Sequence, residues 1–373
     1  MMRIAIAGGG GFAYILAGEI TQTANAVLVL STRASPPQEH PEFEALGAQV
    51  AAVDFSDVEE LGYALRGVDL VISTVPGQSQ LHLIRAAHRA RVRTFVPSEF
   101  EGALARRPSA SNDPLDRGSA AALALLQELS QQQDQQQQPS QQQPRQQQQR
   151  NQPQQQQQLS PASSHHAMGF TVFSCGVLYE RLAPGGLGVF NMGVGQSIAA
   201  QGDWLADVGG ATAEIVESGA RGEPALVSMT SAYDVARFVA AAVEVGPERW
   251  PRELRMRGDQ LSVRDIVGAA MSVRGVPFDL ITHEYQDIQA HLSYAIETSD
   301  WRRWFYLQQL LATADGRYAL GRPNLSELVD GAGPGGAPAV SAVVPERLVD
   351  WLRRVWGHQP QPPEFQSTIM EID

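Results

Sequence analysis

The sequence predicts an α/β chain built on a doubly wound parallel sheet, and three observations carry that expectation. Short apolar runs rich in β-branched residues recur through the first third of the chain, at Arg3–Ala7, Val27–Leu30, Gln49–Val53, Val68–Thr74 and Thr94–Val96. Segments with helical spacing of apolar residues separate them. The first run also ends in four glycines, Gly8 to Gly11, just ahead of an apolar segment from Ile15 to Ile20. Strands that alternate with helices at this spacing form a parallel sheet covered on both faces.

The glycine turn comes first. A strand that runs into glycines and then a helix lets backbone N–H groups approach a pyrophosphate at the helix N-terminus. Two registers fit. One uses Gly8, Gly10 and Ala13 as G-x-G-x-x-A. The other uses Gly8 and Gly11 and leaves Tyr14 where a third small residue belongs. A tyrosine there either pushes the helix outward or points away. Phe12 lies within the turn under both readings.

The second strand ends in Ser31-Thr32-Arg33. The end of this strand meets the adenosine ribose in dinucleotide folds. An acidic residue there would hold the 2′-hydroxyl of NAD. None is present, and Arg33 suits a 2′-phosphate, which favours NADP(H). The third strand ends at Asp54 and Phe55, where a loop reaches adenine or simply turns. Asp57 reads as the N-cap of a helix from Glu59 to Leu65. The fourth strand exits through Thr74-Val75-Pro76-Gly77. A helix follows from Leu81 to Ala90, and the fifth strand leads into Pro97-Ser98-Glu99-Phe100. All these turns fall on the carboxyl edge of the sheet, where such folds bind ligands.

Composition limits the rest. The chain has 373 residues, is 43% hydrophobic and carries a formal charge of −12. That length holds one large domain or two ordinary ones with a sizeable core. The acidic balance argues against nucleic acid. The single cysteine, Cys175, cannot form an internal disulfide and suits a reducing compartment. Met1-Met2-Arg3 runs straight into the first strand, and no apolar run reaches the ~20 residues a bilayer requires. A cytoplasmic protein, with the nucleus as a second compartment, is the expectation. All 28 basic residues are arginine. Any mechanism that needs a lysine is therefore excluded.

From Gln131 to Gln158, 20 of 28 residues are glutamine, interrupted by three prolines. Such a segment cannot offset its ordering entropy by burial, so residues 130–168 are expected to be a disordered insertion. Deleting Gln131 to Gln158 is expected to leave the urea midpoint and dinucleotide affinity nearly unchanged. A large loss of cooperative unfolding would reject that reading. His165-His166 has no further ligands at metal-binding spacing, and no metal site is expected.

Taken together, these motifs resemble the NmrA-like family, which includes the isoflavone-reductase-like atypical short-chain dehydrogenase/reductases. The Gly8–Gly11 turn, Thr32-Arg33, VDLVISTVPG at Val68–Gly77 and VRTFVPSEF at Val92–Phe100 carry the resemblance. Asp113–Gly118 and FTVFSCGVLY at Phe170–Tyr179 resemble fungal members. The resemblance implies a Rossmann-like domain over 1–129 that binds NADP(H). It also implies a remainder over 169–373, with 169–178 and 225–245 completing the sheet and a smaller C-terminal α/β substrate region. The cofactor residues it marks are Gly8, Gly10, Gly11, Phe12, Ala13, Thr32, Arg33, Asp54, Phe55, Thr74, Val75, Pro76, Pro97 and Ser98. Relatives place a catalytic lysine on the helix after the SEF turn. Here that place falls at Arg117 or Gly118, and Tyr179 and Glu99 are the candidate proton donors. Two functions follow: a reductase acting on a small aromatic or carbonyl-bearing molecule, or a dinucleotide-sensing regulator with a protein partner. The balance favours the first.

Beyond the insertion, Cys175 reads as a buried apolar residue. Ser231 or Asp234 is expected to cap a helix running to Val243. Ser262 and Asp265 resemble a capping box for the next helix. Trp301, Trp304 and Phe305 open an apolar helix, and Pro345–Trp356 forms the last helix, stopped by Gly357.

Overall fold

The computed structural model describes residues 1–32, 41–108, 113–131, 167–193, 197–324 and 343–357. Arg33 and most of the glutamine-rich segment lie outside these residues. The first strands are β1 (Arg3–Ala7), β2 (Ala26–Thr32), β3 (Gln49–Val53), β4 (Leu70–Ser73), β5 (Thr94–Val96) and β6 (Gly169–Phe170). They form one sheet in the order β3-β2-β1-β4-β5-β6, with every pairing parallel. The chain is thus a Rossmann-like α/β fold.

Side-chain alternation sets the two faces, because successive residues of a strand point to opposite sides. Ile4 and Ile6 of β1 pack with Ala13, Leu16 and Ala17 of α1 (Gly11–Ile20). Ala5 and Ala7 face the other way, toward Leu61 of α3 (Val58–Ala64), Leu83 and Ile84 of α4 (Gly77–Arg89) and Leu126 of α5 (Ser119–Gln131). The short α2 (Pro41–Ala45) buries Phe43 beside the first face. Asp57 caps α3 as expected, its Oδ1 accepting from the Glu59 and Glu60 amides at 2.9 and 3.0 Å. Helix α5 begins at Ser119. Residues Asp113 to Arg117 are held in turns, with the Asp113 carboxylate accepting from the Leu115 amide at 3.0 Å.

The expected completion of the sheet requires a correction. Only Gly169–Phe170 of the 169–178 stretch pairs with β5. The Thr171 amide still donates to Phe95, but the Val172 amide donates to Arg252 on the opposite side. The next strand, β7 (Val172–Ser174), therefore pairs with β12 (Glu253–Arg255). Beyond Gly176 the chain turns into β8 (Val177–Leu178), which pairs with β11 (Leu226–Thr230). Strand β11 also takes β13 (Asp259–Ser262), antiparallel, so 225–245 builds a separate small sheet and one helix rather than an edge of the main sheet. That helix, α6 (Ala232–Val245), packs on the main sheet beside α1, capped by the Ser231 hydroxyl.

The C-terminal part has its own core around Trp204 and Trp351. Strands β9 (Ala206–Asp207), β10 (Thr212–Val216) and β14 (Asp279–His283) form its sheet. Helices α7 (Val263–Arg274), α8 (Ile288–Glu297), α9 (Trp301–Ala314) and α10 (Leu348–Trp356) belong to this part. The Ser262 hydroxyl caps α7 by accepting from the Asp265 amide. Among the described residues no helix is long and apolar enough to cross a membrane.

Candidate functional site

The glycine turn closes the carboxyl end of β1. Gly8 has φ +127°, and a Cβ there would lie 2.1 Å from Thr74 Oγ1. Thr74 is fixed in turn, since its amide and hydroxyl both donate to the Ala7 carbonyl at 2.8 Å. A side chain at Gly8 would thus force the ends of β1 and β4 apart. Gly10 is the extended N-cap residue of α1. The inward position one turn on belongs to Ala13, which is fully buried, whereas Tyr14 is 40% exposed and packs edge-on against Phe43 at 5.6 Å. Helix packing therefore follows the Gly8, Gly10, Ala13 register.

Gly11 is needed for a different reason. Its amide donates to the Asn191 carbonyl at 3.0 Å, and a Cβ there would lie 1.6 Å from the Phe190 carbonyl oxygen. The short turn Gly186–Phe190 thus lies across the N-terminus of α1. Nothing in the local sequence signals this contact between segments far apart in the chain.

A cavity of about 280 Å³ opens between the glycine turn and the start of the C-terminal part. Of the residues the sequence marks for the cofactor, Gly8, Gly10, Phe12, Ala13, Thr74, Val75 and Ser98 line it. The Phe12 ring rests edge-on against Phe100 at 4.9 Å. Pro76 caps α4, and the Pro97 carbonyl accepts from the Glu99 amide at 2.8 Å. Thr32 is at the exposed end of β2. The Asp54 Oδ1 accepts from the Ser56 amide at 2.8 Å, an Asx turn, while Phe55 is buried and its carbonyl bonds the His82 ring at 3.0 Å. These last five residues do not line the cavity.

Neither proton-donor candidate reaches the cavity. Tyr179 is fully buried, and its hydroxyl donates to Asp259 Oδ2 at 3.3 Å and to the Glu346 carbonyl at 3.1 Å. Burial and the Asp259 charge push its phenol well above the usual range. The physical reason is local. Strand β8 ends at Leu178, whose side chain lines the cavity, and the chain then enters a tight turn that carries Tyr179 toward Trp351. Glu99 is also buried, with Oε2 held by Arg107 at 2.5 Å. Burial pushes its carboxyl up against the opposing charge of Arg107.

Four ionisable residues line the cavity instead: Glu101, Arg117, Arg181 and Tyr318. The Glu101 carbonyl accepts from the Cys175 and Gly176 amides, both at 3.0 Å, which ties the SEF turn to the β7–β8 corner. Burial opposes ionisation of Glu101. The charges of Arg317, Arg117, Arg107 and Arg181 outweigh it and hold the carboxyl below its usual range. Arg117 is set by its neighbour: Gly118, at φ +91°, sits so close to Gly77 that a Cβ would lie 2.9 Å from the Gly77 Cα. Burial pushes the Tyr318 phenol up to about 12, with the Glu101 charge adding to the effect. Tyr318 arrives from the turn after α9, where Arg317 holds Asp113 through two bonds of 2.8 Å. Sequence reasoning reached Arg117 through the place of the missing lysine but missed Glu101, Arg181 and Tyr318. The four residues come from separate parts of the chain, and no spacing rule joins them.

A second, smaller cavity of about 160 Å³ shares Glu101, Arg117, Arg181, Ile198 and Tyr318 with the first. It shares Ser197, Phe305 and Gln309 with a groove of about 980 Å³ that runs along α9. The aromatic start of α9 therefore serves this groove as well as the core, since Trp301, Phe305 and Tyr306 line the groove while Leu307 and Leu310 are buried.

The NmrA-like family is the family whose pattern matches the chain, over residues 2–112. A search of curated protein sequences finds no significant match. Several solved structures share the fold. The complex of leucoanthocyanidin reductase with NADPH from Vitis vinifera aligns over 95% of this chain and 99% of its own, at 14% identity and a TM-score of 0.56. AtPrR2 with NADP+ and (+)pinoresinol aligns over 95% and 98%, at 15% identity and a TM-score of 0.59. The NADPH complex of the quinone oxidoreductase QOR2 from Escherichia coli aligns over 94% and 99%, at 12% identity and a TM-score of 0.55.

Proposed function

We propose that this protein binds NADP(H) across the carboxyl edge of its sheet and reduces a small aromatic or carbonyl-bearing compound. One observation carries the reading: a single cavity joins the glycine turn to a polar group of Glu101, Arg117, Arg181 and Tyr318. The residues present fit a dinucleotide. Gly8 and Gly10 keep side chains away from the start of α1, whose N-terminus favours a pyrophosphate once the Gly186–Phe190 turn gives up the Gly11 amide. Thr74, Val75 and Ser98 bound the far side of the same cavity. The similar folds that carry NADPH or NADP+ support this choice of cofactor. When bound, NADPH supplies the hydride.

The protein's own groups do the rest. A guanidinium suits stabilising an oxyanion and not general-base work, which sets the role open to Arg117. Tyr318 keeps its proton at neutral pH and can donate it to a reduced carbonyl oxygen. Fluorescence titration is expected to show tighter binding of NADPH than NADH. Arg33→Ala is expected to weaken NADPH about 10-fold, the loss of one charge-assisted contact to phosphate, and to leave NADH unchanged. A preference for NADH, or indifference to the substitution, would sink the cofactor assignment.

A second reading, a dinucleotide sensor with a protein partner, is favoured by the bond from the Gly11 amide to Asn191. A ligand that takes that amide must displace the Gly186–Phe190 turn, so binding is coupled to a movement. Tight NADPH binding without turnover on any phenylpropanoid, quinone or carbonyl compound decides for the sensor.

A further inference from the structure

The four polar side chains at the meeting of the two cavities are unevenly satisfied. Four arginines cluster in this layer, at 107, 117, 181 and 317. Arg107 is paired with Glu99, and Arg317 with Asp113 and Glu101. The other two have no carboxylate partner among the described residues. Arg181 is half-buried, and its one bond among the described residues runs from Nη1 to the neutral Gln309 Oε1 at 2.9 Å. Arg117 makes neither a hydrogen bond nor an ion pair among the described residues. The Tyr318 hydroxyl is likewise unbonded among the described residues, although the residue is 2% exposed.

A guanidinium drawn partly out of water with no carboxylate bonded to it is costly, and natural sites reduce that cost with a paired anion. Burial disfavours the ionised form of Arg181 by more than the nearby charges of Glu101 and Asp203 restore, and the Arg117 charge adds to the deficit. The free functions that converge here are donors. The acids beside them are engaged already: Glu101 by Arg317, and Asp116 by the Ala120 amide at 3.2 Å. A ligand that fits must bring acceptors and negative charge.

The surrounding space sets its size. The smaller cavity measures about 160 Å³, and a cavity of ~150 Å³ accepts benzene. Its apolar wall is Ile198, Leu115 and Phe305. Resting on the reading of this cavity as the substrate site, we propose that the protein takes a single-ring aromatic carboxylate. Its carboxylate lies between Arg117 and Arg181, and its ring lies against Ile198 and Phe305. The planar forks of two arginines match a carboxylate in a way a lysine would not. On this proposal an arginine at position 117 recognises substrate.

The test needs no turnover. Benzoate, titrated into the full chain by calorimetry without cofactor, is expected to bind with Kd below ~10 mM. Benzamide, the neutral isostere, is expected to bind at least ~10-fold more weakly, as is benzoate to Arg117→Gln, since each removes a charge-assisted contact. Arg117 is exposed, so its replacement leaves folding intact. Arg181→Gln is a second variant with the same expected loss, checked for an unchanged circular dichroism spectrum. Equal affinity for benzoate and benzamide, no benzoate binding, or affinity unmoved by Arg117→Gln overturns the proposal. Titration with NADPH is run in parallel and separates the two ideas. Benzoate binding without NADPH binding keeps the anion site and rejects the reductase. NADPH binding without benzoate binding does the reverse.

Discussion

Replacing Gly176 by alanine is expected to destabilise the protein by more than ~3 kcal/mol, the range reserved for backbone strain and core overpacking. Gly176 turns the chain between β7 and β8 with φ +74°, a conformation that costs an L-residue about 1 kcal/mol or more. The larger part is steric. A Cβ would lie 2.0 Å from the Ser228 carbonyl oxygen and 2.6 Å from its carbon, and both are backbone atoms of β11. Neither can move without breaking the pairing of β8 with β11 and the bond from the Gly176 amide to Glu101. Gly47 is the control. Its φ is +84° but nothing lies within 4 Å of its missing Cβ, so Gly47→Ala is expected to cost only ~1 kcal/mol. Urea unfolding of both variants checks the pair. Equal effects would show that conformation alone, and not the approach of β11, requires glycine at 176.

Glu180 is expected to make stability fall as pH rises through the weakly acidic range. Its carboxylate is completely buried, and Oε2 accepts from the Ala232 amide at the start of α6 at 3.0 Å, while Oε1 has no partner. Burial pushes its carboxyl from 4.5 up to about 7, despite the opposing bond from Ala232. A raised folded value favours the native state while the group is protonated. The contribution is full below pH 4.5 and is lost as pH rises to about 7. Glu180→Gln keeps an acceptor for Ala232 and removes the titration. Relative to the unchanged protein, the variant is expected to gain about 1 kcal/mol at pH 5 and about 3 kcal/mol at pH 8. Urea midpoints at the two pH values measure this. A gain that does not grow with pH would mean that Glu180 is hydrated or ionised at little cost.

The places where sequence reasoning worked share a feature: the determinant is local. The glycine turn and the Asp57, Ser231 and Ser262 caps each depend on residues within one or two turns of each other. Tyr179 and Glu99 fared differently because a strand end tells which edge a residue reaches but not which way its side chain leaves. One residue of difference separates Leu178, on the cavity, from Tyr179, in the C-terminal core, and Glu101, on the cavity, lies two residues beyond the buried Glu99.

The sequence by itself determined the strand and helix order, the place of the glycine turn at the carboxyl edge of the sheet and the exclusion of any lysine chemistry. All three follow from periodicity, turn residues and composition. Only the tertiary structure decided what faces what. It placed the Gly186–Phe190 turn on the amide of Gly11, sent the strand after residue 170 away from β5, and brought Arg117, Arg181 and Tyr318 around one cavity. Those outcomes depend on contacts between residues up to two hundred positions apart. Their energy lies in packing and charge burial across segments, for which no pattern along the chain provides a signal.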